Sequence, residues 1–82
     1  MDIGSTHVCA PTIGRIVHYQ AHGSTDGAHK SEPRAAVITA VENDTSVSLC
    51  VLNPSGLFFN QGCLFDGGEL PKGGTWRWPP RV

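Results

Sequence analysis

The sequence predicts an all-β protein, and three observations support that prediction. Glycine and proline together make up about a fifth of the 82 residues, which is typical of short strands joined by turns. Clusters of β-branched and aromatic residues, which favour strands, recur between these turn residues. No segment long enough to form a helix has apolar residues at every third or fourth position, which is the pattern of an amphipathic helix.

The first part of the chain predicts an arm, a strand and a long loop. Residues 1–11 form a polar arm, and a single small domain spans residues 12–82. Residues 12–20, TIGRIVHYQ, are rich in β-branched and aromatic side chains and predict the first strand. Residues 21–34, AHGSTDGAHKSEPR, have almost no large apolar residue and predict a polar loop. Loops of this length in compact domains are usually functional or disordered.

The middle of the chain predicts a hairpin. Residues 35–42, AAVITAVE, predict a second strand whose nearly continuous apolar character indicates burial on both faces. Residues 43–45, NDT, have the chemistry of a tight turn, since Asn and Asp tolerate left-handed backbone angles. Residues 46–53, SVSLCVLN, alternate with period two, so their valine and leucine side chains at alternate positions share one face of a third strand.

The last part of the chain predicts two short strands. Residues 53–56, NPSG, form a turn, and residues 57–60, LFFN, form the fourth strand. Residues 61–74 are a second loop, and residues 75–78, TWRW, are a fifth strand that the following Pro-Pro pair ends. Five short strands are too few for a sandwich. They predict a bent sheet or half-open barrel of the Src-homology-3-like kind.

Composition excludes several function classes. A formal net charge of −1 argues against binding of long nucleic acids or anionic membranes. The longest apolar run is far shorter than a membrane span, and no signal peptide is visible at the N-terminus. The odd cysteine count (Cys9, Cys50 and Cys63) without a CxxC pair predicts reduced thiols in a cytoplasm. A core this thin predicts a homo-oligomer.

Both tryptophans of the chain lie in the predicted fifth strand. Because side chains alternate along a strand, Trp76 and Trp78 project to one face and Arg77 to the other. Two interpretations are open: the indoles cap the small core, or they form a stacking surface for a flat ligand such as a nucleobase. If Arg77 shares a ligand with them, a bulge must turn the strand or a second subunit must supply the arginine.

The KGGT sequence before the tryptophans is a candidate anion-binding turn. Consecutive glycines let backbone N–H groups converge on an anion. We therefore expect Lys72, Gly73, Gly74 and Thr75 to meet a phosphate, together with Arg77 of the following strand. The alternative is an ordinary glycine-rich turn, because the leading glycine and following helix of a P-loop are absent.

The long loop holds the densest group of potential cations in the chain, namely His22, His29, Lys30 and Arg34. We expect Arg34, Lys30 and His22 to bind the phosphate of the same ligand. The alternative is a solvated surface loop. His18 and His22 would lie about 13 Å apart on an extended chain. With no second close pair and no carboxylate at a ligand spacing, the sequence predicts no metal site and no cofactor.

Catalysis is not predicted, and no catalytic residue is assigned. Cys50 alternates with core positions on a strand, which is typical of a small buried hydrophobic residue. Cys63 follows a glycine in a predicted loop, and neither thiol lies in a known catalytic signature. A barrel of this size also leaves little room for a site that excludes water.

Four motifs, PTIGRIVHYQAHG, RAAVITAV, VLNPSGLFF and GGTWRWPPRV, resemble those of a group of short proteins from bacteriophages, prophages and actinobacteria. The resemblance covers roughly residues 11–82, and the last two motifs are the specific ones. The chain departs from the group at Pro80, where an acidic residue is commoner, and in residues 21–34, the most variable segment. The group has no settled activity, so the resemblance implies an origin more than a function.

A bacteriophage origin favours small proteins that act by binding. Some proteins of this size are sponges, oligomers that sequester the nucleotide messengers of bacterial immune systems. We therefore expect a homo-oligomer in the host cytoplasm that holds a small anionic ligand, such as a cyclic nucleotide. The alternative is a protein-interaction module, which inhibits a host protein or belongs to the virion, with Phe58, Phe59 and Trp78 exposed. A third class is a structural barrel whose aromatic residues are all core.

Overall fold

The computed structural model describes residues 10–23 and 30–80, and within them the protein is a single curled sheet. Its antiparallel strands follow the order β4-β3-β2-β1-β5. The strands are β1 (Ile16–Gln20), β2 (Pro33–Val41), β3 (Ser46–Asn53), β4 (Gly56–Leu64) and β5 (Trp76–Arg77). These residues contain no helix, and the predicted all-β half-open barrel is confirmed. The predicted arm lies outside the described residues except for Ala10 and Pro11.

The concave face of the sheet encloses the core. Every strand contributes alternate side chains to it, because successive side chains of a strand point to opposite faces. The predicted shared face of Val47, Leu49 and Val51 is confirmed, since all three are fully buried. The other core residues are Val17, Tyr19, Ala36, Ile38, Cys63 and Trp76.

The β2–β3 hairpin is confirmed, and one side chain organises its turn. The Asn43 Oδ1 atom accepts hydrogen bonds from the backbone N–H groups of Thr45 and Ser46, both at 2.9 Å. It also accepts the Thr45 hydroxyl at 3.0 Å. Asparagine in this position mimics a backbone turn with its own side chain, which is why the NDT sequence ends one strand and starts the next.

The prediction that the second strand is buried on both faces is wrong. Ala36 and Ile38 face the core, whereas Ala35 and Thr39 are exposed and Val37 is half-buried. The physical reason is that the described residues form one layer, so the convex face of β2 has no second sheet or helix against it. The apolar run reflects small side chains on that face rather than burial.

Several predicted boundaries also move. β1 starts at Ile16 rather than at residue 12, because Gly14 adopts a φ of 92° and forms a turn before it. Arg34 belongs to β2 and not to the loop. β4 continues to Leu64, through residues that were expected to form a loop. Gly62, with a φ of 66°, lies where the β3–β4 register shifts, so this glycine marks a bulge rather than the end of the strand.

The two ends of the sheet approach each other at Trp76. This residue pairs with Tyr19 of β1 and forms an isolated parallel bridge with Phe65, which follows β4. Its indole N–H donates to the Thr45 carbonyl oxygen at 3.0 Å, and its own carbonyl accepts the Asp66 N–H at 2.9 Å. The sheet is therefore joined across its opening at this one point.

Asp66 organises the loop that leads from β4 to β5. Its Oδ1 accepts the Gly68 N–H at 3.0 Å, and its Oδ2 accepts the Lys72 N–H at 3.1 Å. These two backbone hydrogen bonds, with smaller contributions from the Lys72 and Arg77 charges, lower the pKa of the Asp66 carboxyl from its usual value. The ionised carboxylate therefore stabilises this loop.

We predict that acid removes this contribution to stability. Because the folded pKa of Asp66 is lowered, its stabilisation is present above the ordinary aspartate pKa of about 3.9 and is lost as pH falls through the folded value. At pH 7 an Asp66→Asn variant should melt below wild type, and the gap in melting temperature should narrow on acidification. Glu69→Gln removes a carboxylate from the same loop and is the control. A gap for Asp66→Asn that is constant with pH would contradict the prediction.

Candidate functional site

Three of the predicted ligand-binding side chains line one cleft of about 470 Å³. His22 follows β1, Lys30 precedes β2, and Arg34 lies near the start of β2. We call this site the cationic cleft. Its other walls come from the end of β1, the β3–β4 turn and β4, and they are Ala21, Asn53, Pro54, Ser55 and Phe58.

Arg34 is the most enclosed of these three side chains, with 23% of the side chain exposed. Its Nη2 atom forms an ion pair with the Glu32 Oε2 atom at 3.1 Å. Its Nε atom is buried and has no hydrogen-bond partner among the described residues. A buried donor left unpaired costs roughly 1–3 kcal/mol, which an acceptor atom on a ligand would recover. Arg34 thus lines the cleft with one donor still unused.

Phe58 gives the cleft an aromatic wall. It is in register with Val51, a core residue, so it lies on the core side of β4. Because β4 is the edge strand, 60% of Phe58 is nevertheless exposed. Phe58 and the adjacent turn were not among the residues predicted from the sequence to bind the ligand. The predicted β2–β3 hairpin could have indicated their position. An antiparallel hairpin places the start of β2 beside the end of β3, and therefore near the turn that follows β3.

The KGGT turn is closed by its own hydrogen bonds. The Lys72 N–H donates to Asp66, the Gly74 N–H donates to the Gln20 carbonyl at 2.8 Å, and the Thr75 N–H donates to the Lys72 carbonyl at 3.4 Å. The Thr75 hydroxyl donates to the same Lys72 carbonyl at 2.6 Å. The expectation of converging free N–H groups is therefore corrected for these three residues, which already have acceptors within the chain.

The two glycines of this turn instead make room for His22. A Cβ atom on Gly73 would lie 2.6 Å from Nδ1 of His22, and one on Gly74 would lie 2.9 Å from Nε2. Gly74 also has a φ of 88°, in the left-handed region. The glycine turn and the polar loop therefore do meet, but through packing that holds the imidazole at the rim of the cleft.

The tryptophans share one face, as expected, but they do not form a flat platform. Trp76 is 1% exposed, which corrects its expected role as a stacking surface and assigns it to the core. Trp78 is half-buried and meets Trp76 edge to face, with ring centroids 5.3 Å apart and an interplanar angle of 85°. The guanidinium of Arg15 lies 5.0 Å from the centroid of the Trp78 ring.

Arg77 lies apart from the cationic cleft. It pairs with His18 on the convex side of the sheet, and its guanidinium donates to the carbonyl oxygens of Gly68 at 2.8 Å and Gly67 at 3.4 Å. Arg77 lines a separate cleft of about 600 Å³. Its other walls are His18, Gln20, Ser31, Pro33, Glu69, Leu70, Pro71 and Pro80. The ten predicted site residues therefore do not form one site.

Within residues 10–23 and 30–80, no three His, Cys, Asp or Glu side chains gather in a way that could hold a metal ion. Burial, with a smaller contribution from Glu42, raises the pKa of the buried Cys63 thiol, so the thiol stays protonated and poorly nucleophilic at neutral pH. Cys50 is half-buried, and Cys9 lies outside the described residues. No helix in the described chain has the length and apolar character needed to cross a membrane.

Comparison with known proteins adds no assignment. Protein-family models, curated proteins and solved structures were all compared with the chain, and none of them matches it. The resemblance to bacteriophage proteins therefore stays a prediction.

We predict that Gly73→Ala destabilises the protein by about 1–3 kcal/mol, the usual cost of overpacking, because the new methyl group displaces His22. Gly56→Ala is the control, since nothing lies within 4 Å of a Cβ atom at that position. Urea unfolding measures both. In a His22→Ala background, Gly73→Ala should cost clearly less, which a double-mutant cycle detects. An equal cost in both backgrounds would refute the proposed packing.

Proposed function

We propose that the protein is a non-enzymatic binding protein that sequesters a small phosphate-bearing, nucleotide-like ligand in the cationic cleft. The observation that carries the proposal is the convergence of His22, Lys30 and Arg34 beside the aromatic wall of Phe58. The volume of about 470 Å³ lies within the usual range for small-molecule sites.

The charges of the cleft support an anionic ligand. Among the residues that the structure describes, Lys30 and Arg34 bring two positive charges to the cleft, and Glu32 beside it brings one negative charge, which is paired with Arg34. The unpartnered Nε of Arg34 adds a donor of the type that binds phosphate oxygens strongly, because a charged donor and a charged acceptor meet. Lys30 is exposed and can approach the ligand as a mobile point charge.

The aromatic wall supports a ligand that also has a flat, apolar part. Stacking of a base on an aromatic ring contributes roughly 1–3 kcal/mol. Phe58 takes over the stacking role that the sequence analysis gave to the tryptophans, and Pro54 adds a second apolar surface. Since no nucleophile or metal is proposed for the cleft, the ligand is held without breaking a bond.

The resemblance to bacteriophage proteins supports a more specific form of the proposal. In that form the protein is an oligomeric sponge in the host cytoplasm, and its ligand is a nucleotide messenger of a bacterial immune system, such as a cyclic nucleotide. Such a protein needs affinity and abundance rather than catalysis.

A second candidate function is supported by a different surface. Phe59 is 73% exposed and lies on the face of β4 opposite Phe58. An exposed phenylalanine is a typical hot-spot residue for a protein partner. The candidate is therefore a protein-interaction module that inhibits a host protein or serves in the virion.

We predict that a nucleotide raises the unfolding free energy by about 2.7 kcal/mol when present at about 100-fold its Kd. A thermal-shift panel of cyclic and linear nucleotides tests this, together with analysis of nucleotides released on denaturing protein purified from cells that express messenger synthases. Lys30→Gln and Arg34→Gln should weaken binding at least about ten-fold, since each removes a charged donor. Lys72→Gln, which removes an exposed lysine of the KGGT turn, is the matched control.

Two outcomes would contradict the proposal. The first is an absence of any shift or released nucleotide, and a stable complex with a host protein would then favour the second candidate. The second is a loss of binding in Lys72→Gln that equals the loss in Lys30→Gln, because this would indicate that the ligand binds at the KGGT turn and not in the cationic cleft.

A further inference from the structure

The outer edge of β4 is a long strand edge that no other described strand covers. β4 is the first strand in the order of the sheet and spans nine residues, Gly56–Leu64. Such an edge presents backbone N–H and C=O groups that can pair with another strand. The edge is independent of the cationic cleft, whose wall uses only the Phe58 side chain from this strand.

The two edges of the sheet differ in their protection. Proteins usually block an edge with short length, charge or proline. β5, at the other edge, is two residues long, contains Arg77 and is followed closely by Pro79 and Pro80. β4, with the sequence GLFFNQGCL, has neither a charged residue nor a proline. Its one bulge, at Gly62, lies towards its far end, so the first half of the strand is regular.

An apolar surface runs across the convex face of the sheet to this edge. Ile16, Val37, Cys50 and Phe59 align across four strands. Ala35, Leu52 and Leu57 form the neighbouring row. None of these side chains is charged, and at the edge Leu57 and Phe59 are 58% and 73% exposed. A strand added beside β4 would continue this surface and bring its own side chains against Leu57 and Phe59.

We infer that β4 pairs antiparallel with β4 of a second copy of this chain, and that the convex apolar rows meet across the resulting two-fold axis. Identical antiparallel strands are self-complementary under two-fold symmetry. Because β4 carries no charge, this pairing opposes no like charges. The net charge of −1 likewise leaves little long-range repulsion between copies.

The exposed apolar side chains at this edge supply part of the area that a stable contact needs, and the rest must come from the backbone edge and the convex rows. A stable interface buries about 800 Å² on each partner, or roughly a seventh of the 5644 Å² surface of this chain. Phe59 exposes on the order of 150 Å² on the convex side, given about 200 Å² for a whole aromatic side chain. Leu57, Leu64 and the backbone edge add to this.

The test is the mass of the protein in solution, measured by sedimentation over a range of concentrations. We expect wild type to reach twice its chain mass of 8.7 kDa, and we expect a Leu57→Lys/Phe59→Lys variant to associate at least about ten-fold more weakly. Ile13→Lys is the control, because Ile13 is 71% exposed but precedes β1. A wild type that stays monomeric, or a double variant that associates as strongly as wild type, would overturn the inference.

Hydrogen exchange of wild type keeps the inference testable if the double variant fails to fold. Amides of Gly56–Asn60 should gain protection as protein concentration rises, while those of β5 should not. Complete protection of these amides in dilute monomer would mean that another segment of the same chain pairs with the β4 edge, and would overturn the inference. Protection that appears only on addition of a host protein would overturn it in favour of that partner.

Discussion

Burial of the Trp76 indole is the constraint on which the rest of the structure depends. The strand that carries Trp76 is only two residues long, yet the residue pairs with Tyr19, bridges to Phe65 and donates to the Thr45 carbonyl. It therefore joins three parts of the sheet that are far apart in sequence. Loss of a buried tryptophan side chain typically costs about 3–5 kcal/mol. That is a large share of the stability of any small domain, which is commonly about 5–15 kcal/mol.

The same constraint positions the cationic cleft. With Trp76 in the core, the preceding turn lies beside the end of β1, where the Gly74 N–H donates to the Gln20 carbonyl and the Gln20 N–H donates to the Thr75 carbonyl. His22 follows two residues after Gln20 and therefore lies against the glycines. Arg34 is in register with Tyr19, the strand partner of Trp76, so it enters the cleft from the neighbouring strand. The cleft is thus a consequence of how the sheet closes.

Local patterns in the sequence predicted the parts of the fold that depend on neighbouring residues. The turn chemistry of Asn43 and the alternation in β3 identified the hairpin and its core face. The errors arose where distant residues decide the outcome. Gly62 was assigned to a loop because a bulge depends on the partner strand. Gly73 was taken for an anion site because the approach of His22 is visible only in the folded chain. The loop cations were found from composition, but their meeting with Phe58 depends on the register of β2, β3 and β4.

The most direct test of this account is the accessibility of Trp76 in a Trp78→Phe variant, which leaves it as the single tryptophan. Acrylamide quenching of its fluorescence should be weak in the native protein and should rise several-fold when urea unfolds the chain, because the indole is 1% exposed in the folded state. Native quenching as strong as that in urea, in a variant whose circular dichroism shows an intact sheet, would contradict the claim that this indole is buried where the two ends of the sheet meet.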